Sequence, residues 1–172
     1  MANPRPAGGK KLARVMLDAT VLFAGSGWPR WSYEVLRHAA REDFQLVLTP
    51  EIITQAQRNL QAKAPRRATF LQEWLRTCPL ETVARPSLAE IAAHQNLMRQ
   101  AEDVPIALAA IKASVDYFVS EDKDFTERSA TTREIHRALT IMRPVIFLRE
   151  VMDWSSEDLE KIRKRSWPQE EN

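Results

Sequence analysis

Four aspartates and a serine carry the reactive chemistry of this chain. Asp18 interrupts the apolar run VMLDATVLF, Asp103 precedes Val104 and Pro105 in EDVPIALAAI, and Asp122 and Asp124 follow Ser120 in DYFVSEDKDF, where Glu121 adds a further carboxylate. Like charges at this density repel, and a carboxylate in an apolar run is costly to desolvate. Each has a structural explanation: Asp103 suits a helix N-cap, Asp122 and Asp124 a solvated turn, Asp18 a buried hydrogen-bonded carboxylate. Together they form a set of hard oxygen donors without histidine or cysteine, which suits Mg2+ or Mn2+ and not zinc. Such ions bridge phosphate oxygens and lower the pKa of a bound water towards neutrality, the chemistry of phosphodiester hydrolysis.

These residues need elements to position them. RVMLDATVLFAG reads as a buried strand ending in Gly25, SGWPRWSYEVLRHAARED as a turn and helix, and FQLVL as a second strand. Thr49 caps a helix over TPEIITQAQRNLQAKA, Pro65 separates it from a helix in RRATFLQEWLRTC, and PLETVARP suits a short strand. Ser87 caps SLAEIAAHQNLMRQ, Asp103 caps DVPIALAAIKAS, and DYFVS is a strand. TTREIHRALTIM reads as a helix, PVIFLREV as the closing strand, and the tail holds a helix capped by Ser155 or Ser156. Four or five short strands alternating with helices predict an α/β fold with a mainly parallel sheet covered on both faces. Ligands bind such sheets outside the carboxyl ends of the strands, where Asp18, Asp122 and Asp124 fall and near which Asp103 opens a helix. Residues 1–11 read as an arm, 12–151 as the domain and 152–172 as a tail.

With 44% hydrophobic and 28% charged residues, the 172-residue chain suits one domain with a sizeable core. Cys78 is the only cysteine, and His38, His94 and His136 lie far apart, which leaves no disulfide or zinc spacing and favours a cytoplasmic setting. No run reaches the length of a membrane span, and the N-terminus lacks a signal peptide's apolar region. The net charge of +2 arises in the basic first residues, so it says little about nucleic acid. Four glycines form no phosphate-binding loop. Trp28, Arg30 and Trp31 suit either base stacking and phosphate contact or internal packing, and Lys63, Arg66 and Arg67 form a basic turn. The terminal arm and the tail bearing Trp154 and Trp167 suit either docking of a partner or disorder.

VMLDATVLFAG, LTPEIITQAQRNL, EDVPIALAAIKASVDYFVSEDKDF and RPVIFLREV together resemble the PIN domain, particularly its bacterial VapC-like toxin-type members, over about residues 13 to 151. The family's opening block, commonly Asp-Thr-Asn-Val-Leu, stands here as Asp18-Ala19-Thr20-Val21-Leu22. Its third block matches Asp103, its fourth matches Ser120-Glu121-Asp122, and Asp124 falls where many members carry another acid. The resemblance implies a Rossmann-like three-layer sandwich, a Mg2+ or Mn2+ site and an RNA substrate. It also implies a toxin role, often as a homodimer with an inhibitory antitoxin. Asp18, Asp103 and Asp122 are then the catalytic metal ligands, with Asp124 assisting and Ser120 orienting a ligand or water.

The family's second block places a glutamate where this chain has Gln55. A glutamine carbonyl accepts a hydrogen bond or touches a metal but brings no charge, so cation affinity falls. Glu51, one helical turn earlier on the same face, is the candidate replacement. Two readings follow, a metal-dependent ribonuclease and a weakened binding or regulatory protein that keeps the acidic pocket. A phospho-accepting receiver domain fits less well, because Asp18 stands alone and the expected closing strand offers Arg149 where a lysine is needed. The haloacid-dehalogenase pattern fails at Thr20.

Overall fold

The structure, a computed structural model, describes residues 11–168. The expected N-terminal arm therefore lies, apart from Lys11, outside the described residues. Strand β1 (Arg14–Leu17) sits at the centre of the sheet, with Val15, Met16 and Leu17 wholly buried, as for a strand covered on both faces. It is much shorter than expected. ATVLFAGSG instead forms helix α1 (Ala19–Gly27), since a continuous apolar run fits a buried helix as well as a buried strand. At Gly25 a Cβ would lie 2.6 Å from Leu36 Cδ1, so its absence lets α1 press against α2 (Trp31–Ala40).

Strand β2 (Gln45–Leu48) leads into α3 (Pro50–Lys63), where the Thr49 hydroxyl accepts a hydrogen bond from Ile52 N at 3.2 Å. A 3₁₀ turn at Pro65–Arg67 and α4 (Ala68–Thr77) connect to β3 (Leu80–Thr82). Helix α5 (Leu88–Ala93), capped by Ser87, ends earlier than the sequence suggests; the chain turns away and buries Leu97 and Met98. A second 3₁₀ turn, Ala101–Asp103, opens α6 (Val104–Ala113), which leads to β4 (Tyr117–Val119). Short helices α7 (Lys123–Thr126) and α8 (Arg133–Ala138) then precede β5 (Ile141–Met142).

PVIFLREV is not the closing strand. Pro144 begins α9 (Pro144–Glu150), whose buried Pro144, Phe147 and Leu148 recur at helical spacing, and β5 is the IM pair just before it. The residue following the last strand is thus Arg143 and not Arg149, still no lysine.

The five strands form an all-parallel sheet in the order β3-β2-β1-β4-β5. The chain moves outward from β1 through β2 to β3, then returns to the other side of β1 as β4. Right-handed crossovers therefore place the two sets of helices on opposite faces, and the reversal falls between β1 and β4. Leu17 stands in register with Val119, and Asp18 N donates to Val119 O at 2.9 Å. Asp18 and Ser120 consequently leave the sheet side by side.

Helix α10 (Ser156–Ile162), capped by Ser155 at Asp158 N, buries Leu159 and Ile162. The segment beyond it straps the turn between α1 and α2. Arg165 pairs with the buried Glu34 at 2.7 Å, and Trp167 Nε1 donates to Gly27 O at 2.8 Å. The Arg67 guanidinium lies 4.1 Å from the Trp167 ring centroid and donates to Ser26 O, so this basic side chain serves packing. Trp154 Nε1 donates to His38 Nε2 at 2.9 Å. No helix among the described residues is long and apolar enough to cross a membrane.

Candidate metal centre

Asp18 is fixed by its neighbours on both sides of the chain reversal. It is 3% exposed, at the extended N-cap position of α1, and its Oδ2 accepts from the Ser120 hydroxyl at 2.7 Å and the Thr20 hydroxyl at 3.0 Å. Each hydroxyl also accepts a backbone N–H of the loop after β4. Asp122 N donates to Ser120 Oγ at 3.0 Å, and Glu121 N donates to Thr20 Oγ1 at 3.1 Å. Two hydroxyls thus tie the β1 carboxylate to the backbone that carries Asp122. Burial pushes the Asp18 carboxyl pKa above its ordinary value, against the bonds from Ser120, Thr20 and Ala19 N–H; the Asp122 charge pushes it further up.

Asp122 caps α7, its Oδ1 accepting from Asp124 N at 2.9 Å. Asp103 arrives from the other side at the start of α6. It occupies the N-cap position but in right-handed helical geometry continued from the 3₁₀ turn, and its side chain makes no capping bond. The expected cap is therefore absent, and the carboxylate faces the cluster. Asp103, Asp122 and Asp124 each offer an oxygen within 4.8 Å of the others. Asp18, the most deeply buried of the four, is close enough to act on the Asp103 charge.

Burial, then the charges of Asp18, Asp122, Glu102 and Asp124, raises the Asp103 carboxyl pKa to about 7. Among the described residues, no lysine or arginine forms an ion pair with any of these four aspartates; Arg85 pairs with Glu51 at 2.6 Å and Arg143 with Glu121 at 3.6 Å. A cluster of hard carboxylate oxygens without a compensating side-chain cation fits a divalent ion of the Mg2+ or Mn2+ kind.

Of the two supporting residues on α3, Gln55 is half-buried, and Glu51 is committed to Arg85. Trp28 is 41% exposed and lines a groove of about 240 Å3 with Arg30, Trp31 and Glu121. Arg30 and Trp31 are partly engaged elsewhere: Arg30 Nε donates to Arg165 O at 3.0 Å and Trp31 Nε1 to Leu159 O at 2.9 Å. Thr20 is the residue that motif reading overlooked. Its signal was the spacing of a hydroxyl two positions after a strand-end aspartate, which puts it in the first helical turn.

No protein-family model matches the chain, and no curated protein sequence matches it. Solved structures do. PAE2754 from Pyrobaculum aerophilum superposes with a TM-score of 0.57 at 16% identity, covering 83% of this chain and 91% of that one. VapBC2 from Rickettsia felis, in a crystal structure bound to a DNA fragment from their promoter, superposes with a TM-score of 0.52 at 16% identity, covering 76% of this chain and 98% of that one. At this identity the likeness is one of fold, and the fold is PIN-like.

Proposed function

We propose that the protein is a metal-dependent endoribonuclease, the toxin of a toxin–antitoxin pair, acting at the acidic site where β1 and β4 diverge. The observation that carries the proposal is the convergence of Asp103, Asp122 and Asp124 within 4.8 Å, with the buried Asp18 tied to the Asp122 backbone through Ser120, at the sheet's topological switch point. Asp103, Asp122 and Asp124 would hold a Mg2+ or Mn2+ ion, and Asp18 would add its negative charge to the site. The bound ion supplies Lewis acidity and a water of lowered pKa. Ser120 and Thr20 position Asp18 and the Asp122 backbone, so that the carboxylates are preorganised and not gathered at each turnover. Hydrolysis adds water across an RNA phosphodiester, breaking one P–O bond and leaving a phosphate monoester and a hydroxyl. Trp28, exposed beside Glu121, offers a ring on which a base can stack, with Arg30 and Trp31 shaping the same groove. The likeness to a VapBC2 assembly supports a search for an antitoxin.

One observation favours a second reading, a PIN-like binding or regulatory protein with weakened catalysis. Gln55 brings no charge, and the Arg85 ion pair holds Glu51 away from a replacement role. Cleavage of a panel of RNAs with Mn2+ separates the two. The nuclease reading expects EDTA-sensitive cleavage that Asp122→Asn abolishes; binding without cleavage, with activity appearing only in Gln55→Glu, selects the second reading.

A further inference from the structure

A second cavity is formed by the loop after α7 and by α8. It measures about 490 Å3, large enough for a nucleotide-sized group, and is lined by Arg128, Ser129, Thr132, Arg133, His136 and Arg137. Among the described residues, none of the three arginines has a carboxylate partner or a hydrogen bond, although Glu127 and Glu134 belong to the same stretch of chain. Arginines elsewhere on the surface are commonly paired, as Arg76 is with Glu73 and Arg163 with Glu160. His136 contributes its ring to the lining, although its Nε2 is itself buried.

The loop that shapes the cavity is held in place. Thr132, itself 6% exposed, donates its hydroxyl to Glu127 O at 2.6 Å and accepts from Ser129 N at 2.9 Å. The exposed arginine forks therefore project from a fixed base, with side-chain hydroxyls between them. Guanidinium groups of this kind recognise phosphate oxygens, and they do so with geometry that a diffuse basic surface lacks. Position matters as well. Arg128 is four positions after Asp124, at most ~14 Å of extended chain.

We infer that this cleft binds backbone phosphates of a single-stranded RNA whose scissile group lies at the acidic site. The inference rests on the ribonuclease reading for the identity of the strand, and on the cavity's own residues for the phosphate chemistry. The acidic site repels a polyanion when no cation is bound, so an attractive cationic surface beside it gives the strand a hold that does not depend on the metal.

The test is fluorescence anisotropy of a labelled single-stranded oligoribonucleotide in EDTA, titrated at several salt concentrations. The variant Arg128→Gln/Arg133→Gln/Arg137→Gln is compared with the wild type and with Arg41→Gln, which removes an exposed arginine in the turn between α2 and β2, at the amino end of the strands. Three lost phosphate contacts should lower the slope of log K against log salt by about 2, at ~0.7 per contact for a single strand, and weaken binding at least about tenfold at low salt. A slope unchanged, or changed no more than by Arg41→Gln, overturns the inference. Arg133→Gln and Arg137→Gln measured singly, with urea midpoints matching the wild type, guard against misfolding of the triple variant; each should lower the slope by ~0.7. Mn2+-dependent cleavage of the same RNA is scored separately. A lowered slope without cleavage keeps the cleft and removes the nuclease reading, and cleavage with an unchanged slope does the reverse.

Discussion

Replacing Asp103 by Asn should stabilise the metal-free protein while removing its metal response. Asp103 makes no capping hydrogen bond, so the substitution forfeits little, and it removes a charge from a site crowded with carboxylates. A carboxyl pKa raised from 3.8 to about 7 corresponds to about 4 kcal/mol against the charged form. Water at the mouth of the site screens part of this, so about 2 kcal/mol is expected. The sign follows from the direction of the change. The folded state keeps a proton that the unfolded state releases between pH ~4 and ~7, so metal-free stability falls as pH rises through that window and is level above it. In urea or thermal denaturation with EDTA, Asp103→Asn should exceed the wild type by about 2 kcal/mol at pH 8, or roughly 4–8 °C in Tm, with the gap closing towards pH 4. Excess Mn2+ should stabilise the wild type, by about 2.7 kcal/mol at a hundredfold excess over Kd, and the variant much less. A variant less stable than the wild type at pH 8, or a gap independent of pH, would refute the reasoning.

Thr20→Val removes one hydrogen bond to Asp18 and leaves Glu121 N without its acceptor, so a loss of about 1–3 kcal/mol in urea denaturation is expected, together with reduced RNA cleavage. Gln55→Glu returns a carboxylate to α3 and should tighten Mn2+ binding by calorimetry by about tenfold, equivalent to ~1.4 kcal/mol; unchanged affinity would place Gln55 outside the site. Trp167→Ala forfeits the stack on Arg67, the edge contact with Tyr33 and the bond to Gly27 O, and should cost about 2–3 kcal/mol. A wild-type denaturation midpoint would show that the strap contributes nothing to stability.

The parallel α/β sheet was legible because its strands are short apolar runs with helices between them, and the caps at Thr49, Ser87 and Ser155 were legible as hydroxyls before periodic segments. Boundaries were not legible where the residues on both sides are equally apolar. DATVLFAG suits strand and helix alike, and only the β1–β4 register, with Asp18 N bonded to Val119 O, ends the strand at Leu17. PVIFLREV looks like a strand by its valine and isoleucine, but Pro144 at a helix start and the burial of Phe147 and Leu148 decide otherwise. The convergence of Asp103 with Asp122 and Asp124 depends on a crossover that places α6 beside the end of β4, which spacing suggests but cannot measure. That the tail packs on its own domain was not legible, because its contacts are single long-range ones, Arg165 to Glu34 and Trp167 to Gly27, with no local pattern.

Whether the triad binds a divalent cation is decided by a crystal structure of the protein soaked in Mn2+, with the ion located by anomalous scattering. An anomalous peak coordinated by Asp103, Asp122 and Asp124 is expected, with Asp18 still bonded to Ser120 and Thr20. Mn2+ absent from that triad at saturating concentration, or bound instead by other residues, would contradict it.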